Sequence, residues 1–195
     1  MKKLVLLCLA VGTFAVTEAQ IQFGAKAGLN LSTYSGSLSD GAKIKPGFNV
    51  GALVSIPVTG MLSVQPEVVY SLEGAKGSSG GSSFTENLSY INVPILVKYT
   101  SSIGVFGEIG PQIGFLLSAK DKVDGASENV KQFFNSTNIS LAFGAGYLSS
   151  MNIGVDVRYN LGLANIAKDS GGEKLKSGVI QIGVFYLFGE GKKSK

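Results

Sequence analysis

Across eight segments this chain alternates apolar and polar residues with a period of two, and the apolar side of each segment carries no charge. Residues 151–163, MNIGVDVRYNLGL, display it plainly: Ile153, Val155, Val157, Tyr159 and Leu161 alternate with Gly154, Asp156, Arg158, Asn160 and Gly162. Successive side chains of a strand point to opposite faces, so a period of two predicts strands. The segments span about 21–31, 46–57, 62–73, 88–99, 103–117, 137–148, 151–163 and 177–188. Two environments accept such strands. A soluble sheet turns its polar side to water. A transmembrane barrel turns its apolar side to lipid and fills its lumen with the polar side.

The charges decide between them. The polar faces hold about six strand charges: Lys26, Glu67, Lys98, Glu108, Asp156 and Arg158. A water-exposed surface over eight strands needs many more Lys and Glu. The continuous apolar face is also too large for the interior of an eight-stranded barrel, which just accommodates its side chains. The expected fold is therefore all-β, an eight-stranded antiparallel up-and-down transmembrane β-barrel. Val155 and Tyr159 then face lipid, while Asp156 and Arg158 face the lumen. The polar face also contains Leu53, Leu96, Phe106 and Phe185. Twenty-seven glycines disfavour helices and suit a tightly filled interior.

The connections alternate in length. Those at 58–61, 100–102 and 149–150 are short; those at 32–45, 74–87, 118–136 and 164–176 are long and polar. Alternation over an even strand number puts both termini on the short-turn side. Outer-membrane barrels have short periplasmic turns and longer outer loops. The expectation is extracellular long loops and periplasmic termini, with a cell outer membrane location. The aromatics fall near two levels, Phe23, Tyr99, Tyr147, Tyr186 and Phe188 low, and Phe48, Tyr70, Phe115 and Tyr159 high, as two interfacial girdles would require. Pro66, Pro94 and Pro111 lie inside strands that have no free edge, and are expected to mark bulges or strained ladder positions.

The amino terminus fits export. Lys2 and Lys3 precede the apolar run LVLLCLAVGTFAV, followed by TEAQ, with Thr17 and Ala19 placed for cleavage before Gln20. Residues 1–19 are read as a signal peptide and 20–195 as one outer-membrane barrel domain. Cys8 is read as an ordinary residue of the apolar run, not a lipidation site. Beyond it the chain has no Cys, and it has no His and no Trp.

That inventory argues against catalysis, because the usual general base and thiol nucleophile are missing. No catalytic, cofactor or metal residues are expected. Asp121, Asp124 and Glu128 lack the alternate ligand spacing of a calcium loop and read as a solvated loop. Asn-x-Ser/Thr triplets at Asn30, Asn87, Asn135 and Asn138 carry no glycosylation meaning in a bacterial protein. The net charge of +4 is too weak, and too dispersed, for a nucleic-acid partner. The six lumenal charges, three of each sign, suit a paired plug better than a selectivity ring of one sign. Arg158, one pleat above Asp156 on the same face, is read as that residue's nearest partner.

FGAKAGLNLS, LSVQPEVVYSLEGAK, LSYINVPILVKY, EIGPQIGFLLSAK, GVDVRYNLGLANI and VIQIGVFYLF, in this order from Phe23 to Phe188, resemble the PorT-type outer-membrane barrel family of the Bacteroidetes. The resemblance implies an eight-stranded outer-membrane barrel. It implies no agreed activity and no catalytic residues, although one namesake takes part in type IX secretion and gliding. The tail GEGKKSK departs from a barrel ending at its terminal aromatic. The function expected is a structural or binding role through the outer loops or rim. Outer-membrane lipid and the barrel-assembly machinery are the expected partners, with a surface or secretion-system protein as a further one. The alternative is a narrow pore for small solutes; a membrane barrel enzyme ranks last.

Overall fold

The computed structural model describes residues 21–36, 42–79, 82–123, 126–168 and 173–188. Residues 1–19, the loop positions Gly80 and Asp124 and the tail after Phe188 lie outside the described residues. Ten strands are formed: β1 (Gln22–Ser35), β2 (Lys45–Pro57), β3 (Leu62–Glu73), β4 (Lys76–Ser79), β5 (Ser82–Thr100), β6 (Val105–Val123), β7 (Ala126–Asn129), β8 (Thr137–Leu148), β9 (Ile153–Gly162) and β10 (Lys176–Phe188). Eight of them close a ring in the order β1-β2-β3-β5-β6-β8-β9-β10, with β10 returning to β1 and every neighbour antiparallel. Closure removes the free edges that lipid would leave unsatisfied.

The alternation sets the register. In β9 every second residue is buried and the others are exposed or, at Tyr159, half-buried, with Val155 and Val157 outward and Asp156 and Arg158 inward. A one-residue slip would put those charges into lipid, so the pairing is strongly specified. The closing seam pairs Phe23 with Phe188, Ala25 with Tyr186 and Leu29 with Ile182, all on the outer face. Outer aromatics meet in pairs. Tyr186 and Phe188 lie 5.4 Å apart edge-on near the short turns, while Phe48–Tyr70 and Phe143–Tyr159 lie at 5.9 and 5.6 Å.

The prolines are not bulges. The register is unshifted across Pro66, Pro94 and Pro111. Each coincides instead with a gap in one ladder: β2–β3 beside Pro66, β3–β5 beside Pro94 and β5–β6 beside Pro111. A residue without an N–H loses one rung and keeps the count. The register shift in β5–β6 lies elsewhere. Ser89 pairs with Ser118 and Tyr90 with Leu116, which leaves Leu117 as the extra residue. Lys131 Nζ donates to the Leu117 carbonyl at 2.9 Å, satisfying an acceptor at the bulge.

Two of the long connections differ from the sequence reading. Strands β5 and β6, each of 19 residues, run well past the span a membrane needs, about 11 residues. Short strands β4 and β7 pair on their outer sides. Segments 74–87 and 118–136 are thus largely a four-stranded extension, β4-β5-β6-β7, above the barrel.

Candidate functional site

The lumen is built in layers. Nearest the short turns, Leu53, Phe106, Phe185 and Leu187 form a buried apolar cluster with Leu148 against it. Glycines make the room. A Cβ at Gly146 would strike the Phe106 ring, and one at Gly154 the Phe185 ring. These rings meet edge-on at 5.9 Å. Lys98 Nζ sits 3.9 Å from the Phe106 centroid and 4.5 Å from that of Phe185, which joins the apolar layer to the charges above it.

All six candidate charges lie in the next layer, and all are buried. They come from β1, β3, β5, β6 and β9. Arg158 is the hub: Nη1 and Nη2 donate to Glu67 Oε2 and Oε1 at 2.9 Å each, and Nε donates to Glu108 Oε1 at 2.8 Å. Since β3 and β9 stand four places apart in a ring of eight, the Arg158–Glu67 fork crosses the full diameter. Lys26 pairs with Glu67 at 3.3 Å and with Asp156 at 3.7 Å; Lys98 pairs with Glu108 at 3.4 Å. Gln65 Nε2 adds a 2.7 Å bond to Glu67 Oε1. Asp156 is not the main partner of Arg158. Their separation of 3.9 Å exceeds those to Glu67 and Glu108, because a strand neighbour two residues away points parallel to the arginine, not towards it. Three positive and three negative groups balance, so this layer offers no field that favours one sign of ion.

Above these six charges lies an amide and hydroxyl layer that also holds two buried charges the sequence reading did not single out, Lys45 and Glu73, with Lys45 Nζ donating to the Glu73 carbonyl at 3.1 Å. Asn30 Nδ2 donates to Ser71 Oγ at 2.8 Å, and Asn49 Nδ2 to Asn30 Oδ1 at 2.7 Å. Asn92 Nδ2 donates to Glu73 Oε1 at 2.9 Å, and Asn138 Nδ2 to Ser177 Oγ at 2.8 Å. Asn30 and Asn138, two of the glycosylation triplets, therefore face inward and are buried.

The far end closes with a second apolar cluster: Leu88, Tyr90, Leu116, Ala119, Phe134, Ile166 and Leu175. Two connecting segments build it. Phe134 bridges to Ala167, Asn135 Nδ2 donates to the Asn165 carbonyl at 2.9 Å, and Ile166 N donates to the Leu175 carbonyl at 2.8 Å. This cap is not visible in the sequence, where Phe134, Ile166 and Leu175 lie outside the eight alternating segments, in the connections 118–136 and 164–176. A depression of about 740 Å³ opens on the outer wall between Tyr99, Ile109, Phe143, Ala145 and Val157, with Glu108 and Arg158 also on its lining. Among the described residues no group of three Asp, Glu, His or Cys side chains is placed to hold a metal.

Solved structures share this architecture. Neisserial surface protein A is 19% identical, with 85% of this chain and 97% of that one covered and a TM-score of 0.57. Ail, the attachment invasion locus protein of Yersinia pestis, is 21% identical, with 86% and 98% covered and a TM-score of 0.50. At such identities the likeness carries the fold alone. No curated protein matches the chain. The family model for the outer membrane protein beta-barrel domain matches residues 15–168, and the chain belongs to that family of outer-membrane barrels.

Proposed function

We propose that this outer-membrane barrel is a non-conducting, non-enzymatic protein that acts through its outer loops and rim on a surface ligand or an envelope partner. One observation carries the reading: buried side chains occupy successive levels of the lumen, as an apolar floor, a neutral network of ion pairs, an amide layer and an apolar cap. A solute path would have to break the Arg158–Glu67 fork and the caps on both sides. The reading includes export by residues 1–19, long connections outside and termini in the periplasm. It also keeps the PorT-type assignment within the Bacteroidetes, with secretion or surface components as the partner class. The motif order from Phe23 to Phe188 supports that assignment.

Planar-bilayer recording of the purified barrel tests the filled lumen. Negligible conductance is expected; large, steady open-channel currents would reject it and favour the pore. Co-purification from native membranes tests the partner. Recovery of one stoichiometric envelope protein supports the binding role, and recovery of the barrel alone with lipid argues against a protein partner.

A further inference from the structure

The extension β4-β5-β6-β7 sorts its charges by face. Cross-strand partners share a face, so the pairings read directly as rows. One row runs Lys43–Lys76–Thr85–Lys122–Ser127, and the next below it runs Asn87–Lys120–Asn129. These rows continue the outward side of β5, where Ile95, Val97 and Tyr99 face lipid. The acids form a row of their own, Glu86–Asp121–Glu128, on the opposite, inward side. Among the described residues of the extension, every Lys faces outward and every Asp and Glu inward.

The bulge at Leu117 produces this separation. Below it the even-numbered residues of β6 face the lumen, as Gln112 and Leu116 do; above it Ala119 is buried and Lys120 and Lys122 are exposed. Without the extra residue both lysines would turn inward and Asp121 outward, since one residue flips every side chain that follows.

The position of this face matters as much as its charge. The Lys120 row stands four residues above Ile91 and the Lys122 row six. At ~3.3 Å per residue and a tilt of ~40°, that is about 10 and 15 Å above the Ile91 rung, with the outward Leu72 and Leu117 between. Tyr70 Oη donates to Ser89 Oγ at 3.1 Å, at the change from apolar to polar wall. Here the wall has a depression of about 490 Å³, floored by Leu72 and lined by Ser89, Ser118, Ser127, Lys120 and Lys122. Ammonium groups and hydroxyls, without a carboxylate, directly above the lipid-facing belt are the donor set for a phosphate.

We infer that the outward face of this extension binds the phosphate groups of outer-leaflet lipid. The inference rests on the orientation proposed above, with the long connections outside. Polar headgroups occupy roughly 5–8 Å beyond the hydrocarbon core, and the long lysine side chains of both rows can extend down towards them, while the apolar belt below meets the acyl chains of the same molecule.

The test titrates the folded, full-length barrel with diphosphoryl lipid A and with dephosphorylated lipid A, then repeats both on a Lys76→Gln, Lys120→Gln, Lys122→Gln variant. Retention of the heat-modifiable gel shift establishes that the variant folds, and Lys122→Gln alone serves the same comparison if it does not. The phosphorylated lipid should bind about tenfold or more tightly than its dephosphorylated form, and the variant should lose that margin. Equal binding of the two lipids, or a variant that binds like the unmodified protein, overturns the inference. Heparin bound through the same lysines in preference to lipid A overturns it in favour of a surface polysaccharide. A tag at Asp124 that is reachable on intact cells supports the outer-leaflet placement. An unreachable tag with lipid A binding intact overturns the orientation, and with it that placement, while leaving the phosphate chemistry standing.

Discussion

Arg158 holds more of the lumen together than any other side chain. It is 2% exposed, and its planar fork satisfies Glu67 from across the barrel while its Nε reaches Glu108. Truncation to Ala leaves two buried carboxylates short of their donors. Breaking a buried pair on one side costs about 3–5 kcal/mol, so Arg158→Ala should unfold at a clearly lower temperature, followed by loss of the gel shift. Adding Glu67→Gln should restore part of that loss, whereas Asp156→Asn should restore less, because Asp156 lies 3.9 Å away and its nearer cation is Lys26. Rescue by Asp156→Asn alone would reverse this ranking. Arg158→Lys should also destabilise, since a point charge cannot bond both carboxylates as the fork does. The six charges are legible in the sequence because they interrupt faces that are otherwise Gly, Ser and Asn. Their partners are not, because a lumen brings together residues from strands distant in sequence, and chain proximity misleads about which of them meet.

At the scale of the element, what lipid constrains is legible and what water permits is not. A strand in hydrocarbon must keep one face free of charge, and that requirement writes a period of two along all eight spanning strands. Above the membrane the requirement lapses. SSFTEN and AKDKV read as polar loop, yet they prolong β5 and β6, paired by backbone bonds that leave no mark on composition. The bulge is equally silent, since Leu117 is one more apolar residue in an apolar run. The extension also has a built-in weakness. Glu86, Asp121 and Glu128 lie in one cross-strand row, and like charges facing each other destabilise a sheet. Burial raises the Glu86 pKa from its ordinary value; the Tyr34 hydroxyl offsets part of this and Asp121 adds to it. A carboxyl raised in the folded state keeps its proton to higher pH than in the unfolded state. The extension should therefore gain stability as pH falls through the raised Glu86 pKa towards the unfolded value of about 4.3, and lose it as pH rises. Amide hydrogen exchange in β4–β7, corrected for intrinsic rates, should show stronger protection at about pH 5 than at pH 7. Glu86→Gln should flatten the difference; stronger protection at the higher pH would contradict the sign.

At the scale of the whole molecule, the strand count, closure and identity of the lipid-facing side follow from two numbers that the sequence contains: eight alternating segments and about six inward charges. The upper cap does not follow, because it joins inward residues of β5 and β6 to apolar residues of separate connections, Phe134 in one and Ile166 and Leu175 in another. The molecule is accordingly asymmetric along its axis. One end has turns held by short local bonds, as where Thr59 Oγ1 accepts from Leu62 N at 3.1 Å and Ser101 N donates to the Val105 carbonyl at 2.8 Å. The other carries the cap, the extension and its outward lysines. Such a barrel cannot turn over in the membrane once folded, since one end would have to drag those lysines and the inward carboxylates through hydrocarbon. The expected outcome is a fixed labelling pattern on intact cells: a tag near Gly80 or Asp124 is reachable, and a tag near Ser101 is reachable only after the outer membrane is opened. Carbonate washing should leave the protein in the membrane fraction. The reverse labelling pattern would place the cap and lysines in the periplasm, and recovery in the soluble fraction would remove the lipid that the charge-free face requires.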